Sequence, residues 1–148
     1  MSYGLRKYRT SQANTASRED LLILLYEGAI RFLERSIKEM EAKRLSEHKM
    51  YLRRGLAIVA ELQSTLDFEK GGDLSMKLFD LYGFMLERLT QANMKQDMDQ
   101  IRIVIKNLET LLEGWRDAVR QVKETAGLHT TAPTTPPPPG RRLAGGAY

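Results

Sequence analysis

The residues best suited to acid–base or metal chemistry in this chain are two histidines, His48 and His129. A di-iron centre in a helical bundle uses Glu-x-x-His pairs that face the core, but neither histidine has a glutamate three positions before it. His48 falls in the first turn of a predicted helix, which indicates a place on the surface, and His129 adjoins a Pro-rich tail. We therefore expect neither histidine to bind a metal.

Backbone N–H groups at helix starts are the other candidates for chemistry. Ser17 and Asp20 have the spacing of a capping box, in which the hydroxyl accepts one helix N–H and the carboxylate reaches back to another. Gly71 and Gly72 precede a helix and in principle offer N–H groups to an anion, but the lysine of a phosphate-binding loop does not follow them, so a turn explains them better.

No cysteine is present, which excludes thiolate chemistry. We predict that the protein is not an enzyme and has no cofactor or metal.

Composition predicts a single cytoplasmic domain. The 148 residues are 42% hydrophobic, which is enough for one core. The longest uninterrupted apolar run, residues 21–26, is far shorter than the roughly 18 residues of a membrane span. The N-terminus also lacks the apolar segment and cleavage site of a secretory signal.

The chain divides into three parts. Residues 1–16 form an N-terminal segment, and residues 17–125 are predicted to be all-α. Short connections between long helices make neighbours antiparallel, which predicts an up-down-up-down four-helix bundle. Its helices are expected at residues 18–43, 46–68, 74–94 and 97–125. The Thr-, Pro- and Gly-rich residues 126–148 are predicted to be a disordered tail, whose proline run alternatively offers a ligand to an aromatic-lined groove.

Each predicted helix carries apolar residues at alternating steps of three and four, the spacing of a bundle core. These core positions are Leu22, Leu25, Ala29, Phe32, Ser36 and Met40 in the first helix, Leu52, Leu56, Val59, Leu62 and Leu66 in the second, Leu74, Leu78, Leu81, Met85, Leu89 and Ala92 in the third, and Ile101, Ile105, Leu108, Leu112, Trp115, Val119 and Val122 in the fourth.

Three of the helices carry apolar residues beyond these core positions. The additional residues are Tyr26, Ile30, Leu33 and Ile37 in the first helix, Tyr51 and Ile58 in the second, and Phe79, Tyr82 and Leu86 in the third. Two interpretations are open: these residues flank the core, or those of the second and third helices line an exposed groove. An exposed apolar groove usually marks a binding site, and the amphipathic helix of a partner suits it.

Three sequence strings carry a family resemblance. The strings NTASREDLL (residues 14–22), LYEGAIRF (25–32) and LQSTLDFEKGG (62–72), at these separations, resemble the FliS family of flagellar secretion chaperones. The resemblance covers roughly residues 5–122. It implies a client, flagellin, whose C-terminal segment wraps around the bundle and is kept unpolymerised in the cytoplasm until type III secretion. Contact with the flagellar export apparatus is a further implied expectation.

The expected client site combines the apolar groove with the N-terminal segment. The residues expected to contact flagellin are Tyr51, Ile58, Phe79, Tyr82 and Leu86, which lie beyond the core positions of the second and third helices, together with Tyr8 of the N-terminal segment. In this family the N-terminal segment, here residues 1–16, covers part of the site when it is empty, and a merely frayed terminus is the alternative. The Pro-rich tail is not part of the family pattern.

Two other classes of function are weighed against this one. The net charge of +4 and the pI of about 9.4 are compatible with a nucleic-acid-binding module. The basic residues are interleaved with acidic ones, however, which is typical of an ordinary solvated surface. The second alternative is a helical adaptor that dimerises through the same apolar groove.

Overall fold

The computed structural model describes residues 17–131, with side chains over residues 17–127. Four helices make up this part of the chain: α1 (Arg18–Glu41), α2 (Leu45–Ser64), α3 (Phe68–Lys95) and α4 (Met98–Thr131). The predicted all-α class is therefore confirmed. No helix within the described range has the length and apolar character needed to span a membrane.

Contacts between the helices establish their directions. Gly28 of α1 lies against Ile58 of α2, whereas Ser36, further along α1, meets His48 near the start of α2. The two helices are thus antiparallel. α4 is antiparallel to α1 by the same reasoning, through the ion pairs Asp20–Lys123, Glu27–Arg116 and Glu41–Arg102. α3 contacts the end of α2 through the hydrogen bond from Gln63 to the backbone oxygen of Phe79.

The predicted capping box opens α1. Ser17 Oγ accepts a hydrogen bond from the backbone N–H of Asp20 at 3.1 Å. Partial burial raises the pKa of the Asp20 carboxyl, but hydrogen bonds from Ser17 and from Lys123 outweigh it, so that this pKa is lowered overall. The cap therefore also ties the start of α1 to α4.

The turn between α2 and α3 differs from its prediction. α2 ends at Ser64, and Asp67 caps α3 by accepting the backbone N–H of Lys70 at 3.0 Å. Phe68 thereby begins α3 and does not end α2. Gly72 breaks α3 after one turn, with φ of +51°, a conformation that a residue with a Cβ adopts only at a cost.

The core contains most of the predicted positions. The predicted residues that are buried are Leu22, Leu25, Ala29, Ser36, Leu52, Val59, Leu62, Leu66, Leu78, Met85, Leu89, Ala92, Ile101, Ile105, Leu108 and Leu112. Val104 is buried without having been predicted, and Trp115 is only half-buried against the core. Leu74 and Val122 are exposed. Leu74 lies two residues after the break at Gly72, and Val122 precedes Lys123, which pairs with Asp20 in the first turn of α1.

The end of α4 corrects a predicted boundary. A tail from residue 126 is predicted, but residues 126–131 continue the helix. Residues 132–148 and the N-terminal residues 1–16 lie outside the described residues, so the predictions for the flap and for the rest of the tail stay predictions.

A buried polar network closes the α1–α2 turn and overturns the predicted surface position of His48. The imidazole is fully buried and donates a hydrogen bond from Nδ1 to the backbone oxygen of Ser36 at 2.7 Å. Beside it, the buried Glu39 carboxylate accepts hydrogen bonds from Arg44 and from Arg35. These bonds lower the pKa of Glu39 to about 2. The prediction failed because the periodicity at the start of α2 does not reveal that α1 extends over His48.

The close contact between α1 and α2 generates a first prediction. A Cβ at Gly55 would lie 2.6 Å from Cδ2 and 2.8 Å from Cγ of the buried Leu33. We expect Gly55→Ala to lower the free energy of unfolding, since overpacking costs about 1–3 kcal/mol and the better helix propensity of alanine returns only about 1 kcal/mol. Urea unfolding followed by circular dichroism measures this.

Gly114→Ala is the matched control, because a Cβ there meets nothing within 4 Å. It should leave stability unchanged or raise it by up to about 1 kcal/mol. Equal effects of the two substitutions would contradict the close approach at Gly55.

The Glu39 network generates a second prediction, on pH. A carboxyl whose pKa is lowered on folding stabilises the native state fully above its ordinary pKa and loses that contribution as the pH falls through the lowered value. For Glu39 this window runs from 4.5 down to about 2. Glu39→Gln should therefore unfold at lower urea than the parent near neutral pH, and the gap should close near pH 2. Glu41→Gln, at an exposed position of the same turn, should show no such pH-dependent gap.

Candidate functional site

The structure contains no obvious place for catalysis among its described residues. Within residues 17–127, no three side chains of His, Cys, Asp or Glu are grouped so that they could hold a metal ion. Of the buried titratable groups, Glu39 is engaged in the hydrogen bonds described above, while His48 uses Nδ1 in one and its buried Nε2 has no hydrogen-bond partner among the described residues. The candidate site is therefore sought among exposed apolar and aromatic residues.

Tyr82 is not part of any exposed groove. It is only 1% exposed, and its hydroxyl is hydrogen-bonded to that of the fully buried Tyr26 across the core. The two rings lie 6.4 Å apart at an angle of 58°. Burial raises the pKa of both hydroxyls. The expectation that Tyr82 lies outside the core is wrong, because the partner hydroxyl on α1 lets the bundle bury it.

Ile58 is also a core residue, with 4% of its surface exposed. Its Cδ1 lies 3.5 Å from where a Cβ would stand on Gly28. Ile58 thus packs directly against α1 at Gly28, at a distance where even a Cβ would make only an ordinary van der Waals contact. The expectation that Ile58 lies outside the core is therefore wrong as well.

Tyr51 lies on the α1 side of α2 and not on the α3 side. Its ring stacks on that of Phe32 with centroids 6.2 Å apart and planes 27° apart. The guanidinium groups of Arg35 and Arg54 lie 5.2 and 5.7 Å from the Tyr51 ring centroid. We call Phe32, Arg35, Tyr51 and Arg54 the Tyr51 cluster. It is separate from the other predicted site residues.

Phe79 and Leu86 do lie on one face of α3. Phe79 is 44% exposed, Leu86 is half-buried, and Met76 continues their row in helical steps. Gln63 of α2 donates a hydrogen bond to the backbone oxygen of Phe79 at 3.0 Å. This face therefore borders α2, where the predicted groove was expected.

Phe68 is a candidate site residue that the sequence analysis did not include. Its ring packs edge-on against that of Phe79 at 5.8 Å, and it is 48% exposed. The signal that could have found it is Asp67, a strong helix-capping residue, which makes Phe68 the first residue of α3. We call Phe68, Met76, Phe79 and Leu86 the apolar α3 stripe.

The structure thus divides the predicted client site. Phe79 and Leu86 share the apolar α3 stripe, Tyr51 belongs to a different surface, and Ile58 and Tyr82 are inside the core. Tyr8 lies outside the described residues, so its contact with a client stays a prediction.

Comparisons of the chain with a family model and with individual known proteins match the same family. A family model described as "Flagellar protein FliS" matches residues 1–122. The flagellar secretion chaperone FliS of Campylobacter jejuni is 36% identical over 110 residues, which cover 74% of this chain and 86% of that protein. The FliS proteins of Vibrio cholerae and Salmonella typhimurium are each 32% identical, over 71% and 72% of this chain and 77% and 79% of their own lengths.

The division of the site generates a third prediction. Ile58→Asp places a charge in the core, where an unpaired carboxylate costs several kcal/mol (roughly 3–5 for a broken buried charge). We expect this variant to lose most of its helicity by circular dichroism. Phe79→Asp alters an exposed position and should keep the helicity of the parent. A folded Ile58→Asp protein would show that the α1–α2 contact is looser than described.

Proposed function

Since the chain belongs to the FliS family of flagellar secretion chaperones, we propose that it binds the C-terminal segment of flagellin in the cytoplasm. Binding prevents premature polymerisation and keeps this client competent for flagellar type III secretion. The family match covers residues 1–122, that is, the N-terminal segment and most of the bundle. The flagellar export apparatus is the second partner proposed.

The observation that carries this proposal is the apolar α3 stripe. A monomeric soluble protein seldom exposes several large apolar side chains together unless they contact a partner. In the stripe, Met76, Phe79 and Leu86 repeat at helical steps, which lets one apolar face of an amphipathic helix lie along them. The backbone there is fixed by the hydrogen bond from Gln63.

Holding an unassembled client is a task that an exposed apolar surface can perform. A protein segment that packs into a coiled assembly after export has exposed apolar residues before export. Covering those residues with an equally apolar surface removes both from water, at roughly 25 cal/mol per Å² of apolar area. A chaperone that binds in this way blocks self-association by occupying the same residues.

The N-terminal segment is proposed as a flap over the empty site. Tyr3, Leu5 and Tyr8 are apolar or aromatic residues interleaved with Arg6 and Arg9, a composition suited to weak, reversible docking. Removal of residues 1–16 separates two roles: loss of a competing flap would strengthen client binding, whereas loss of a client contact through Tyr8 would weaken it.

The stripe generates a fourth prediction. Phe79→Asp and Leu86→Asp each place a carboxylate against the apolar face of the client. Desolvation of that charge on binding costs several kcal/mol. Because about 1.4 kcal/mol is tenfold in affinity, binding of a purified C-terminal flagellin segment should weaken at least about a hundredfold. Isothermal titration calorimetry measures the affinity, and circular dichroism of the same samples checks the fold.

Ile103→Asp is the matched control, because Ile103 is a similarly exposed apolar residue on α4. It should bind flagellin as the parent does. Unchanged affinity in folded Phe79→Asp and Leu86→Asp proteins would contradict the proposed site. Failure of the parent protein to bind the segment would contradict the proposed function.

A further inference from the structure

We propose that the Tyr51 cluster is a second docking surface, which binds an acidic segment of a protein partner through Arg54. It lies on the α1 side of α2, whereas the apolar α3 stripe borders α2 from the α3 side. The inference therefore goes beyond client binding and does not depend on it.

The first step of the argument is that the Arg54 guanidinium is held in place. It lies 5.8 Å from the Phe32 ring centroid and 5.7 Å from that of Tyr51, within the range of cation–π attraction. The two rings are themselves stacked and half-buried. A long side chain that is otherwise free to rotate is thus largely oriented before any partner arrives, which reduces the entropy lost on binding.

The second step is that the cluster holds a cation without a matching anion. Arg35 is paired with the Glu39 carboxylate at 2.8 Å. Among the described side chains, no carboxylate lies within ion-pairing distance of Arg54. Arg54 is exposed, so its five N–H donors are available to a carboxylate, whose geometry matches the guanidinium fork.

The third step concerns the class of partner. Single-stranded nucleic acids stack their bases on free aromatic faces, but the rings of Phe32 and Tyr51 face each other, and the guanidinium groups of Arg35 and Arg54 lie over them. Nucleic-acid affinity also grows with the number of phosphates neutralised, whereas Arg54 is the one unpaired cation of this cluster. These observations favour a protein carboxylate over a nucleic acid.

The position of the cluster follows from the helix contact beneath it. Gly55, one residue after Arg54, lies directly against Leu33, one residue after Phe32. This close approach places Phe32 and Tyr51 side by side on the outer edge of the α1–α2 contact. The surface is therefore supported by the rigid part of the bundle.

The experiment measures fluorescence anisotropy of a short labelled peptide of alternating Glu and Gly residues, titrated with the full chain at low salt. Arg54→Gln should weaken binding at least about fivefold, since it removes a charge-assisted, bidentate contact. Tyr51→Leu keeps every charge but removes the ring that positions Arg54, and should weaken binding about twofold or more. The same peptide with Gln for Glu should not bind.

Arg53→Gln is the matched control, because Arg53 is the neighbouring exposed arginine on α2 but does not belong to the cluster. It removes the same charge and should change the affinity less than about twofold. Equal losses in Arg53→Gln and Arg54→Gln would mean general attraction to a basic protein and would overturn the proposal. Tighter binding of a single-stranded oligonucleotide than of the acidic peptide would overturn it in favour of a nucleic acid.

Discussion

The close approach of α1 and α2 is the constraint on which the rest of the structure depends. Gly55 has no side chain to separate the two helices, and Leu33 of α1 fills the space against it, while Ile58 packs on α1 at Gly28. The cost in helix propensity, about 1 kcal/mol for Gly55, is offset by apolar burial. The same approach buries His48 against Ser36. A bundle built without it would have a different set of exposed residues.

Two surfaces result on the two sides of α2, and they differ in chemistry. The apolar α3 stripe offers area to an apolar partner, which contributes affinity with little directional preference. The Tyr51 cluster offers an oriented charge, which contributes specificity and rate of association.

The helices and most of the core could be predicted because periodicity reports which residues share a face. The site could not, because periodicity does not report what a face packs against. Tyr82 is buried because Tyr26 lies opposite its hydroxyl, and Ile58 because it packs against α1 at Gly28. Both depend on contacts between distant parts of the chain. Phe68 was assigned to the wrong helix because the glycines suggested a turn more strongly than the Asp67 cap did.

The hydrogen-bonded pair of Tyr26 and Tyr82 has a consequence for the alignment of the bundle. Repeating apolar residues would tolerate a shift of α3 along α1 by one turn, about 5.4 Å, since one leucine replaces another. The pair does not tolerate it, because the Tyr82 hydroxyl would then be buried away from its Tyr26 partner, at about 1–3 kcal/mol. The tyrosine pair therefore helps to fix the register of α3 against α1. It penalises misaligned packings while adding little to the stability of the correct one.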